Sequence, residues 1–145
     1  MTSYADTSFL ASLYGMDANS PLAVRQVEAL RPTFVITPFS ELELQTAFEA
    51  RVFRKLLDSA EADASMQAFR SDLGSGVLLR KPVAPTVFSR AFLLSSLYTR
   101  TLGCRTLDIL QVATAIELNA EVFFTFDKEQ AKLAKRAGLT VRPGR

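Results

Sequence analysis

Four acidic residues, Asp6, Glu43, Asp108 and Asp127, have types and positions that could do chemistry. The chain has no histidine and a single cysteine, Cys104. That excludes His-activated nucleophiles, His–zinc centres, a thiolate metal cage and an internal disulfide. Chemistry must therefore run on carboxylates, hydroxyls, Lys, Arg or a bound metal. Four unpaired carboxylates brought together repel one another. Mg²⁺ or Mn²⁺ would offset the repulsion, because such ions take oxygen ligands and keep several waters. The chemistry this suits is water attack on a phosphodiester.

The elements that would position these acids start with Arg105–Lys128. There a helix, with Thr106 as its cap and Asp108 in its first turn, runs to about Asn119. The apolar run Val122–Phe126 then reads as a buried parallel strand, with Asp127 just past it. Earlier in the chain, residues 1–6 read as a strand closing on Asp6, followed by a helix over Phe9–Tyr14. Ser20-Pro21 reads as a helix start, with Ser as cap, running to Leu30. Thr33–Thr37 is a strand. Long helices are expected over Pro38–Asp58, Glu61–Leu73 and Thr86–Arg100, with a strand at Val77–Arg80. A helix over Lys128–Ala137 and a strand over Leu139–Arg142 close the chain. This βααβααβααβαβ order predicts an α/β protein with helices sandwiching a mostly parallel sheet, in one domain spanning 1–145.

In such sheets ligands bind at the carboxyl ends of the strands, where the following helices also begin. Asp6 and Asp127 sit at those strand ends, and Glu43 and Asp108 in the first turn or two of helices. Each acid alone has an ordinary structural explanation. Asp6 can cap the next helix, and Asp108 can complement a helix dipole. Asp127 opens a capping-box-like Asp-x-x-Gln, and Glu43 can close a box with Ser40. On the 3.6-residue period Glu43 also falls within the arc of Phe39, Leu42, Ala47, Ala50, Phe53 and Leu57, taken as core-facing. There a carboxylate is costly without compensation. Convergence of all four acids on one cleft is the stronger reading.

Hydrophobic residues make up 48% of the 145, which fits a globular chain with a sizeable core. No apolar run approaches bilayer length, and the N-terminus lacks a basic leader, so a cytoplasmic location without a membrane partner is expected. Arginine outnumbers lysine under a net charge of only +2. Two basic rows, Arg51, Arg54 and Lys55 on the long helix and Lys128, Lys132 and Lys135 on the late one, could each contact phosphate or be a solvated face.

Four segments, YADTSFLASLY at 4–14, SELELQTAF at 40–48, RTLDILQVATAIEL at 105–118 and TFDKEQAKLAKRAGL at 125–139, lie in register with one family. The chain resembles a PIN domain, and within that family the VapC-type toxins of bacterial toxin–antitoxin pairs. The resemblance implies a three-layer α/β/α sandwich and a Mg²⁺- or Mn²⁺-dependent endoribonuclease. Its acids fall on Asp6, Glu43, Asp108 and Asp127, as catalytic and metal-holding residues. Thr7, Ser8 and Thr125 would be supporting hydroxyls. Gln111 stands where many similar sequences carry His. RNA as substrate, a cognate antitoxin and a homodimer are implied partners. A phosphatase-type pattern wants Asp-x-Asp, but position 8 is Ser, and a receiver-type pattern wants an acidic pair at the first strand. A non-catalytic PIN-like RNA- or protein-binding module keeps the acids without the metal.

Overall fold

The computed structural model describes residues 2–144. Its elements run β1 (Thr2–Ala5), α1 (Thr7–Tyr14), α2 (Ser20–Leu30), β2 (Thr33–Ile36), α3 (Pro38–Phe53), α4 (Ser59–Gly74), β3 (Leu78–Arg80), α5 (Thr86–Leu102), α6 (Thr106–Glu117), β4 (Val122–Phe124), α7 (Lys128–Arg136) and β5 (Thr140–Arg142). The order is the one read from the sequence. The five strands form one sheet in the order β3-β2-β1-β4-β5, with every pair parallel.

The strands are short, and alternate residues serve opposite faces. Ala5, Phe34, Ile36, Val122 and Phe124 pack with α1–α4, where Phe9, Leu44, Phe48, Met66 and Phe69 are buried. Tyr4, Val35, Phe123 and Val141 pack with α5–α7, where Val87, Leu94, Val112 and Leu133 are buried. Burial on both faces is why β2 and β4 read as continuous apolar runs rather than alternating ones. The result is the expected three-layer α/β/α sandwich. Phe9 anchors one layer, with its ring centroid 5.9 Å from Phe34, 5.0 Å from Phe124 and 5.2 Å from Phe126. Truncating a fully buried ring such as Phe124 would cost about 3–5 kcal/mol. Among the described residues no helix is long and apolar enough to cross a membrane.

Several boundaries differ from the sequence reading, each for a local reason. α3 ends at Phe53 rather than near Asp58, because Lys55 takes a left-handed conformation (φ 59°). Asp58 instead caps α4, in a reciprocal box with Glu61. The box at the start of α3 is formed by Thr37 and Ser40, not by Ser40 and Glu43. Thr37 lies one turn earlier and already satisfies the free N–H groups, which leaves Glu43 without a capping role.

The core-facing arc of α3 is also different. Its buried stripe is Ser40, Leu44 and Phe48, while Leu42 is 62% and Phe53 88% exposed. Phe39, Leu42 and Phe53 suggested the opposite face by composition alone. Glu43 lies about 60° around the helix from Ser40, at the border of the buried stripe. At two helix starts the expected hydroxyl cap is not formed. Ser20 is the first residue of α2, and its Oγ accepts from Asp17 N and donates to Gly15 O. Thr106 is the first residue of α6, after Arg105, with no side-chain cap.

Candidate metal centre

The site is built where β1 and β4 end and helices α1, α3, α6 and α7 begin. β4 stops at Phe124 rather than Phe126 because the next residues turn their polar groups toward β1. Thr125 Oγ1 donates to Asp6 Oδ2 at 2.5 Å, and Phe126 N donates to Ser8 Oγ at 3.0 Å. Thr125 Oγ1 also accepts from Asp127 N at 2.9 Å. These bonds lock the two strand ends together.

Asp6 is the most deeply placed acid, 4% exposed. It caps α1, with Oδ1 accepting from Phe9 N at 3.0 Å and from Ser8 Oγ at 2.6 Å. Burial pushes its carboxyl up to about 6, against the lowering effect of Ser8, Thr125 and the Phe9 N–H, and the nearby Asp127 raises it further. A carboxylate that serves only as a cap has no need of such burial. Asp127 caps α7, with Oδ1 accepting from Glu129 N and Gln130 N. Half of the expected Asp-x-x-Gln box is therefore present. The Gln130 side chain turns instead to Asp108 O at 3.0 Å, tying α7 to α6. Asp108, in the first turn of α6, is half-buried. Its carboxyl is raised by burial, with the Arg105 backbone opposing and the Asp127 charge reinforcing. Glu43 reaches the site from the second turn of α3, and its Oε1 accepts from Thr7 Oγ1 at 2.9 Å.

Asp6, Glu43, Asp108 and Asp127 line one cavity of about 180 Å³, together with Thr7, Ser8, Leu107, Gln111 and Gln130. The four acids come from segments far apart in the chain. The N-termini of α1, α6 and α7 lie at this cavity, and their positive ends ease the gathering of like charges. Among the described residues no three acids close into a cluster that cages an ion unaided. The donors are all hard oxygens, in a water-accessible cavity. They fit Mg²⁺ or Mn²⁺, which the smaller ion in particular accepts through one or two carboxylates plus waters rather than in an all-protein cage. Burial of Tyr4 beneath the cavity raises its phenol, so it stays protonated.

The basic rows separate. Lys128, Lys132 and Lys135 line a neighbouring cavity of about 260 Å³, with Thr125, Phe126 and Asp127. Asp127 is shared by both cavities. Lys132 also pairs with Glu129 at 3.3 Å. Arg51, Arg54 and Lys55 lie at the far end of α3, roughly 12–18 Å along its axis from Glu43 at 1.5 Å per residue. Arg51 is engaged there by Asp17 at 3.3 Å. Position in the helix, not charge pattern, distinguishes the two rows. Gln111 and Tyr4 are polar residues of this region to which the sequence reading gave no role. The sequence held only a weak signal for them, a Gln where many similar sequences carry His and a Tyr one residue before the strand end.

The PIN domain family model matches residues 3–136. Among solved structures, the VapC20 toxin of Mycobacterium tuberculosis, described as cleaving the sarcin–ricin loop, is 18% identical. It superposes with a TM-score of 0.70, covering 95% of this chain and 96% of that one. VapBC2 from Rickettsia felis, solved with a DNA fragment from its promoter, is 16% identical, with a TM-score of 0.70 and 98% of each chain covered. VapBC-1 from nontypeable Haemophilus influenzae is 14% identical, with a TM-score of 0.67 over 98% of this chain and 97% of that one. No curated protein matches the sequence closely. At these identities the structural likeness speaks to the fold, and the family match spans nearly the whole chain: it belongs to the PIN domain family.

Proposed function

We propose that this chain is a Mg²⁺- or Mn²⁺-dependent endoribonuclease, the toxin of a toxin–antitoxin pair. One observation carries the reading. Four carboxylates from four distant segments line a single cavity at the carboxyl edge of a parallel sheet. Asp6, Glu43, Asp108 and Asp127 would hold the ion. When bound, the ion would lower the pKa of a coordinated water and neutralise charge developing on the phosphate.

The protein's own groups do the rest. Ser8 and Thr125 hold both Asp6 oxygens by hydrogen bonds, so that carboxylate is fixed before substrate arrives. Thr7 does the same for Glu43. The α7 lysines Lys128, Lys132 and Lys135 would bind backbone phosphates of an RNA strand leaving the acidic cavity by way of Asp127. Arg51, Arg54 and Lys55 are too far along α3 to act on the same phosphates.

The likeness to VapC-type toxins supports a cognate antitoxin as partner and a cytoplasmic home for one PIN-like domain spanning 1–145. A homodimer is supported by an apolar face on α5, where Phe88 is 55% and Phe92 78% exposed, one turn apart.

The test is cleavage of total RNA by the purified, antitoxin-free chain with Mg²⁺, with EDTA, and with the Asp6→Asn variant. Cutting that needs the metal and vanishes in the folded variant is the expected result. A folded, metal-loaded protein that cuts nothing and still binds RNA or protein would mean a non-catalytic PIN-like module instead.

A further inference from the structure

A buried hydrogen-bond chain runs beneath the acidic cavity. Tyr4 on β1 is fully buried, and its hydroxyl donates to Gln111 Oε1, with Ser40 Oγ 3.2 Å from the same phenol oxygen. Gln111 on α6 is 4% exposed. Its Nε2 donates to Glu43 Oε1 and, at 3.3 Å, to Thr7 Oγ1. Glu43 Oε1 therefore receives both Gln111 and Thr7. Among the described residues Glu43 Oε2 takes no hydrogen bond.

We propose that Gln111, oriented by Tyr4, is a positioning residue for Glu43. It engages one carboxylate oxygen and leaves the other for a divalent cation in the cavity. The inference rests on the metal-site reading above. An amide can sit in either of two orientations, but a carboxylate only accepts, and a phenol hydroxyl surrounded by protein needs an acceptor. The observed orientation satisfies both. The flipped one sets the amide oxygen against the carboxylate and takes from the Tyr4 hydroxyl its Gln111 acceptor. Glu43 and Tyr4, gripping opposite ends of the amide, together hold the face that Gln111 shows to Glu43. The donor is also neutral. A Lys or Arg at position 111 would form an ion pair with Glu43 and compete with the cation, whereas an amide fixes the carboxylate and leaves its charge available. The chain links β1, α3 and α6, so the strand that leads into Asp6 also sets Glu43.

Partners that orient metal ligands change affinity by about 10- to 100-fold when removed. The experiment is Mn²⁺ titration calorimetry on the full chain, comparing wild type, Tyr4→Phe, Gln111→Ala and the double variant, with melting curves alongside. Tyr4→Phe removes one oxygen and keeps the ring stacked on Phe123, at 5.5 Å between centroids, so it is the variant most certain to fold. The expected result is Mn²⁺ binding weakened about 10-fold in Tyr4→Phe and about 10- to 100-fold in Gln111→Ala. The double variant should be no weaker than Gln111→Ala alone, since Tyr4 acts through Gln111. A folded Tyr4→Phe or Gln111→Ala that binds Mn²⁺ like the wild type overturns the proposal and leaves the metal site standing. A wild type that takes up no Mn²⁺ overturns the metal-site reading, and this inference falls with it.

Discussion

Replacing Asp6 by Asn should stabilise the metal-free protein, and the gain should depend on pH. The carboxyl moves from 3.8 to about 6 on folding, chiefly through burial. Between those values the folded state holds a proton that the unfolded state has lost, so stability falls as pH rises through that window. Above it the full penalty is in place. Two pH units at 1.36 kcal/mol each set an upper limit of about 3 kcal/mol. The amide keeps an acceptor for Ser8 and Phe9 but loses the Oδ2 acceptor for Thr125, at a cost of about 1 kcal/mol. The net gain above pH 7 is therefore about 2 kcal/mol, or about 6 °C in Tm for a domain of this size. The assay is thermal melting in EDTA at pH 8 and pH 4. At pH 4 the gain should vanish and leave only the small cost of the lost hydrogen bond. A saturating divalent ion should narrow the gap at pH 8, because at a hundredfold excess over its Kd the wild type gains about 2.7 kcal/mol, while a variant that binds at least tenfold more weakly gains no more than about 1.4 kcal/mol. An Asp6→Asn variant destabilised equally at both pH values would refute the reasoning and reduce Asp6 to an ordinary helix cap.

Lys135→Ala should weaken RNA binding and lower the slope of log affinity against log salt by about 0.7–0.9, the value for one phosphate contact, read by filter binding across a salt series. Arg54→Ala, at the far end of α3, should leave both unchanged. Asp58→Ala removes the cap of α4, away from the acidic cavity, and should cost about 1 kcal/mol of stability in a denaturant melt without moving Mn²⁺ affinity.

The order of elements and the parallel sheet were legible because buried strands such as Val122–Phe124 are short apolar runs set between helices. The meeting of the four acids at one edge was legible from the same topology, since parallel strands and the helices after them share that edge. The face of α3 was not. Leu42 and Phe53 are apolar yet exposed, and the buried stripe is marked by Ser40, a polar residue satisfied by Thr37. Periodicity follows hydrophobicity and misreads a helix whose outer face is also apolar. The end of β4 was misjudged because Phe126 leaves the ladder to stack on Phe9, a tertiary contact with no local signal. The partners of Gln111 and Tyr4 were beyond a sequence reading for a similar reason, although position 111 was marked by the resemblance as one where many similar sequences carry His. Their roles lie in bonds across 68 and 107 positions of chain, and residue type alone does not announce them.

The central claim is that Asp6, Glu43, Asp108 and Asp127 act as one ion-binding unit. Its most direct test is Mn²⁺ calorimetry on the wild type and on the four single variants Asp6→Asn, Glu43→Gln, Asp108→Asn and Asp127→Asn, each confirmed folded. The account predicts saturable binding in the wild type and weakening of at least about 10-fold in every variant. No saturable binding in the wild type, or wild-type affinity in the folded variants, would contradict it.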